Sequence, residues 1–152
     1  MAAPTIFFCK GCTGVPMKKI IFACVHNAGR SYAAHSIADN IMPENVLVLS
    51  AGTDPKDDVN PEVTKALKLL GYKPTDHKPS ALTISEVKSA DFIVTMGCGE
   101  SCPVFNGKTY LNWELEDPSG KSEKEVLVIV RQIEQNVIAL MKTIQNNKSI
   151  NN

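Results

Sequence analysis

An apolar run, Lys19-Ile20-Ile21-Phe22-Ala23, ends at Cys24-Val25-His26-Asn27-Ala28-Gly29-Arg30-Ser31 and passes directly into a helical pattern. The run predicts a strand over 18–24, apolar enough to be buried on both faces. A loop of this length between strand and helix can turn successive backbone N–H groups toward one point, which makes a nest for a tetrahedral anion. The helix N-terminus adds partial positive charge. Arg30 supplies a planar fork that grips two oxygens at once. The same field favours the thiolate of Cys24, and the Ser31 hydroxyl can donate to it. Cys24 is therefore the candidate nucleophile. Val25, His26, Asn27, Ala28, Gly29 and Arg30 form the candidate oxyanion loop.

The rest of the chain repeats this alternation. A helix carrying Ala34, Ile37, Ala38 and Ile41 stops before Pro43. Asn45 to Ser50 reads as a second strand, and Gly52, Asp54 and Pro55 break it. Asn60 caps a helix with Pro61 at its first position, apolar Val63, Ala66, Leu67 and Leu70, and Gly71 as its stop. Thr83 with Glu86 makes a capping box for a short helix. Asp91 to Met96 is a third strand and Lys108 to Asn112 a fourth, after an Asn106-Gly107 turn. Ser122 with Glu125 opens a long helix in which Val126, Ile129, Val130, Ile133, Val137, Leu140, Met141 and Ile144 stay in register. Strands alternating with helices predict an α/β fold of three layers, a parallel sheet with helices on both faces. The expected organisation is an N-terminal extension over 1–17, one catalytic domain over 18–147 and a frayed polar tail over 148–152. In such sheets ligands bind beyond the carboxyl ends of the strands. The Cys24 loop, the loop after the third strand and Asp117 should therefore share one edge.

Composition sets the outer limits. With 152 residues, one core can be buried without staples. Lysine plus arginine number 16, as do aspartate plus glutamate, so no general field favours nucleic acid or an anionic membrane. No apolar run approaches the roughly 20 residues of a membrane span. The first residues lack the basic n-region of a signal peptide, and a cytoplasmic location is the expectation. Five cysteines do not read as a secreted disulfide framework.

Met96-Gly97-Cys98-Gly99-Glu100-Ser101-Cys102-Pro103 places two thiols among glycines. A compact loop can bring such a pair to disulfide distance, and the flanking glycines let it move. Beside an activated Cys24, a redox role for Cys98 and Cys102 outweighs that of two ordinary loop cysteines. Cys9-x2-Cys12 could join them in a four-cysteine zinc site, but the redox use of the second pair is the better one, and no metal is expected. Asp117, next to Pro118, is the candidate general acid, with Glu114 and Glu116 as rivals. His26, His35 and His77 show no mutual spacing for a metal, and His26 reads as a residue that shapes or gates the loop. Gly107-Lys108-Thr109 lacks the earlier glycine of a nucleotide-binding loop.

Taken together, four segments resemble the arsenate reductases built on the low-molecular-weight protein tyrosine phosphatase fold. They are Cys24 to Ser31, Ser50-Ala51-Gly52-Thr53, Thr95-Met96-Gly97-Cys98 through Cys102-Pro103, and Trp113-Glu114-Leu115 through Asp117-Pro118. The resemblance covers about residues 18–145. It implies a four-stranded parallel sheet in flavodoxin-like order and a thiol relay. Cys24 would attack arsenate held by the loop and Arg30, with phosphate or sulfate as analogues, while Asp117 protonates the departing oxygen. Asn27 would shape the loop, and Ser31 would assist the thiolate. Cys98 would then attack Cys24, and the disulfide would pass to Cys98–Cys102 by exchange. No bound cofactor is implied. The reductant would be a thioredoxin-like protein, or glutaredoxin with glutathione. The relay cysteines are closer together here than in better-known members, which leaves their order of attack open. Some members bind potassium through an acid on the first helix. His35 stands there instead, so the ion is not expected.

Two other functions fit parts of the pattern. A phosphatase would use the same Cys24, Arg30 and Asp117, but such enzymes follow Asp-Pro with aromatic residues, where this chain has Ser119-Gly120, and have no use for the second cysteine pair. A thiol protein holding arsenite or zinc without turnover would use the three cysteines, yet has no need of Arg30 and an anion loop.

Overall fold

The computed structural model describes residues 17–97, 105 and 107–150, with side chains through 146. Four strands, β1 Lys18–Cys24, β2 Val46–Gly52, β3 Phe92–Thr95 and β4 Thr109–Asn112, form one sheet in the order β2-β1-β3-β4. Every pairing is parallel, with Ile21 opposite Leu49 on one side and Ile93 on the other. The helices are α1 Arg30–Ile41, α2 Pro61–Leu69, α3 Ile84–Ser89 and α4 Glu123–Ile150. The four-stranded parallel sheet with helices on both faces stands as the sequence predicts.

Strand alternation assigns the two cores. Ile20, Phe22 and Cys24 face the larger one, with Val46, Val48, Phe92, Val94 and the buried sides of α1, α2 and α4. Ile21, Ala51 and Ile93 face the smaller one, closed by Val87 and Ala90 at α3. Cys24 therefore points to the side on which α1 begins. From β1 the chain steps outward to β2, then crosses back over β1 to reach β3 and β4. Strand order thus reverses at the carboxyl end of β1, the switch point where such sheets leave a crevice.

Local signals explain most boundaries. The Asn60 side chain accepts from the Glu62 amide at 2.9 Å, and Pro61 opens α2. Thr83 and Glu86 bond reciprocally at the start of α3, as do Ser122 and Glu125 before α4, at 3.1 and 3.2 Å. The Ser122 hydrogen bonds hold the Glu125 carboxyl below the usual carboxylate range. Three details differ from the sequence pattern. β2 runs two residues beyond Ser50, because Ala51 and Gly52 continue the parallel ladder opposite Ala23 and Cys24, and Gly52 also bonds Ser80 O at 2.8 Å and the Leu82 amide at 2.9 Å. α1 is buried at every position from Ser31 to Ala38, since β1, β2, α2 and α4 all pack around it, so no single stripe describes it. α4 is helical through Ile150.

Ile37 is fully buried at the centre of the larger core. Ile37→Ala is expected to cost about 2–5 kcal/mol of unfolding free energy, measured by urea denaturation. Tyr72, just beyond α2, donates its hydroxyl to Glu134 of α4 at 2.5 Å. Burial first, then Glu134, pushes its pKa from 10.0 up to about 12. The folded state thus holds this proton more tightly than the unfolded chain does. The contribution is whole below the unfolded pKa and drains away as pH rises toward the folded one. Unfolding followed between those two values should show a shallower loss of stability in Tyr72→Phe than in the parent.

Candidate active site

The loop between β1 and α1 turns its carbonyls away from the crevice. Cys24 O accepts from the Thr53 amide at 3.1 Å, Val25 O from Asp54 at 2.7 Å, His26 O from Lys56 at 3.0 Å and Ala28 O from Asn60 at 2.8 Å. A planar trans peptide points its N–H opposite its C=O. The amides of Val25, His26, Asn27 and Gly29 therefore face the other way, and the Asn27 amide reaches Cys24 Sγ at 3.2 Å. The residues that fix this are the ones after β2. Gly52 lets them approach, since a Cβ there would meet Val25 O at 2.6 Å and the Asn27 nitrogen at 3.0 Å.

Asn27 holds the turn in a left-handed conformation, φ 52°, which asparagine tolerates better than most residues. Its Oδ1 accepts from the Ser80 amide at 3.1 Å, and its Nδ2 donates to Ser31 Oγ at 2.7 Å. Ser31 Oγ lies 2.9 Å from Cys24 Sγ, and toward a thiolate, which can only accept, its hydroxyl is the donor. Cys24 is buried to 2 % exposure, so its sulfur sits at the floor of the loop among donors. His26 turns outward, and its Nδ1 must carry a proton to bond Asp54 O at 3.0 Å.

Arg30 opens α1 and reaches across to the segment after β4. Its Nη1 donates to Leu115 O at 3.4 Å, and its Nη2 lies 3.8 Å from Asp117 Oδ2. The Asp117 Oδ1 accepts from the Ser119 amide at 3.0 Å, which fixes the carboxyl in its turn. Pro118 rests on Gly29, where a Cβ would stand 2.8 Å from Pro118 Cγ. Asp117 is therefore placed opposite the loop, while its rival Glu116 pairs with Lys121 at 3.9 Å. A cleft of about 310 Å³ opens beside the loop, lined by His26, Lys56, Asp58, Asn60, Asp117 and Ser119 among others.

Cys98 and Cys102, like Cys9 and Cys12, lie outside the described residues. One group was illegible in the sequence. His35 Nδ1 bonds Ser50 Oγ at 2.7 Å and its Nε2 lies 3.3 Å from Asp39. The His77 ring stands 5.2 Å from that of His35, and its Nε2 meets Ser50 O at 3.1 Å and Ser80 Oγ at 3.2 Å. This brace holds the Ser80 segment against Asn27. Histidines 42 positions apart give no local signal of it, although Ser50 within Ser50-Ala51-Gly52-Thr53 marks its centre. Among the described residues, no group of three or more histidine, cysteine or acidic side chains is arranged to hold a metal.

A cysteine under inward amides, an arginine beside it and a carboxyl opposite stand together at the carboxyl edge of a four-stranded parallel sheet. The chain belongs to the low molecular weight phosphotyrosine protein phosphatase family, which it matches over residues 19–150. It is similar to a putative arsenate reductase of Halobacterium salinarum, 32% identical over 127 residues that cover 80% of this chain and 89% of that protein. An arsenate reductase of Staphylococcus xylosus is 32% identical over 112 residues, 71% of this chain and 84% of the relative. In structure it is similar to a thioredoxin-dependent arsenate reductase of Corynebacterium glutamicum, with TM-score 0.75 and 35% identity over 88% of this chain. The present chain spans 64% of that protein's length.

Removing the Ser31 hydroxyl takes one donor from the Cys24 sulfur. Ser31→Ala is expected to slow alkylation of Cys24 by iodoacetamide about tenfold at neutral pH, followed by mass mapping of the Cys24 peptide.

Proposed function

We propose that the protein reduces arsenate to arsenite through a cysteine relay that begins at Cys24. The observation that carries this reading is the mouth of the site. Lys56, Asp58, Asn60 and Ser119 mix there with Ala28, Val59 and Pro61, and among the described residues that line it there is no phenylalanine, tyrosine or tryptophan. The aromatic side chains nearby are engaged inside, Trp113 against Phe22 at 5.8 Å between ring centres and Tyr32 on Thr64 at 2.8 Å. Such a mouth suits a bare inorganic oxyanion better than the ring of an aryl phosphate. The names of the relatives point the same way.

In this mechanism the loop amides and Arg30 hold arsenate over Cys24. The thiolate attacks arsenic, and a hydroxyl leaves as water with the proton of Asp117. Cys24 then carries arsenate(V) on sulfur. A second thiolate, Cys98, attacks the Cys24 sulfur, the S–As bond breaks, and its electron pair stays on arsenic, which departs as arsenite(III). The Cys24–Cys98 disulfide passes to Cys98–Cys102 when the Cys102 thiolate attacks Cys98 and frees Cys24. A thioredoxin-like dithiol reduces the last bond and is itself oxidised. Such a cycle runs in a reducing compartment, which fits the cytoplasm. No helix among the described residues is long and apolar enough to cross a membrane.

The phosphatase reading shares Cys24, Arg30 and Asp117, and the family supports weak ester hydrolysis as a side activity. A coupled assay with thioredoxin, thioredoxin reductase and NADPH separates the two, run beside hydrolysis of para-nitrophenyl phosphate. Sustained arsenate-dependent NADPH consumption with feeble hydrolysis is expected. Strong hydrolysis without arsenate turnover would make the protein a phosphatase. Cys24→Ser should abolish both activities, and Asp117→Asn should lower arsenate turnover by about 10²–10⁴-fold, the usual worth of a positioned acid. Cys102→Ser should complete the first reduction yet fail to recycle.

A further inference from the structure

Gly97 follows β3 and directly precedes Cys98 in the sequence. Its backbone takes φ +91°, in the left-handed region. A Cβ at this position would lie 3.1 Å from Arg30 Cζ and 3.3 Å from Nη2, and would overlap Nη1. The guanidinium therefore occupies the space that a side chain at position 97 would fill. Gly71, Gly107 and Gly120 also have positive φ, but a Cβ at any of them would meet nothing within 4 Å. Those three need only a backbone that glycine adopts freely. At Gly97 two demands coincide, the left-handed turn and the missing Cβ.

The other contacts of Arg30 show what this seat does. Leu115 O and Asp117 hold the fork from the β4 side at 3.4 and 3.8 Å, and its side chain is 11% exposed. Arginine has many rotamers, and fixing them before a ligand arrives reduces the ordering cost of binding. A bidentate fork also loses its second bond when its plane tilts. A methyl group at position 97 would be accommodated by moving the flexible end of Arg30, since that end is what it meets.

We propose that Gly97 is a positioning residue for tetrahedral oxyanions, its bare α-carbon serving as the seat that sets the plane of the Arg30 guanidinium. The proposal rests on the reading of the Cys24 loop as an oxyanion site. It extends that site to the strand that leads into the second cysteine pair.

The test compares Gly97→Ala with Gly71→Ala, which imposes the same left-handed strain where space is open. Gly97→Asn is a second variant, because asparagine carries the same Cβ yet tolerates such backbone better. For each full-length chain, alkylation of Cys24 by iodoacetamide is followed by peptide mass mapping across a titration with inorganic phosphate. Thermal unfolding is recorded alongside. Wild type and Gly71→Ala should be protected at the same phosphate concentration, and both position-97 variants should need about tenfold more. Gly71→Ala and Gly97→Ala should lose thermal stability to a similar extent. Equal protection of wild type and a folded position-97 variant would overturn the proposal. An unprotected wild type would instead sink the oxyanion reading of the loop, and the role of Gly97 with it.

Discussion

The carbonyls of Cys24, Val25, His26 and Ala28 are bound from outside by the amides of Thr53, Asp54, Lys56 and Asn60. Those four bonds decide which way the intervening peptides face. A short loop left to itself could rotate any of these peptides and present oxygen to the crevice, which would repel an anion. Anchored on the segment after β2, it presents N–H groups instead, and the Asn27 amide meets the Cys24 sulfur. The inward array of amides is thus a property of two loops together. The parallel pairing of β1 with β2, in register from Lys18 with Val46 to Cys24 with Gly52, brings them level.

A second set of contacts converges on Asn27. The Ser80 amide binds its Oδ1, and the Ser80 hydroxyl binds His77, which also holds the carbonyl of Ser50. The left-handed turn at Asn27 is a sparsely populated conformation, and such residues persist where their surroundings over-determine them. Here three partners do so, the Ser80 amide, Ser31 Oγ and Cys24 Sγ. The outcome is local to chemistry: Asn27 Nδ2 donates to Ser31 Oγ, and that hydroxyl stands against the Cys24 sulfur. Buried polar networks of this kind stiffen a site when every member is satisfied, and among the described residues no buried side-chain nitrogen or oxygen is left without a partner.

Close approach is the other theme. Gly52, Gly29 and Gly97 each stand where a Cβ would collide with a part of the site: the loop backbone, Pro118 and Arg30 respectively. They stand at three different places along the carboxyl edge of the sheet, the end of β2, the loop before α1 and the turn after β3. Each lets one connection seat against another, so the nucleophile, the fork and the carboxyl are held by packing of backbone as much as by side-chain bonds. The mouth that results is lined, among the described residues, without phenylalanine, tyrosine or tryptophan.

Much of this was legible in the chain itself. Buried apolar runs at β1 and β3, capping residues Asn60, Thr83 and Ser122, and the Cys24 to Ser31 turn are local signals, and local geometry obeys them. The rule that ligands gather at the carboxyl edge then puts Cys24 and Asp117 on one side before any contact is known. What the sequence could not carry is whatever depends on residues distant in the chain meeting in space. The pairing of His35 with His77, the reach of Arg30 to Leu115 O, and the collision of a Cβ at position 97 with the guanidinium are of this kind. Nothing in composition or spacing encodes them, because they arise only when the sheet sets four separate loops side by side.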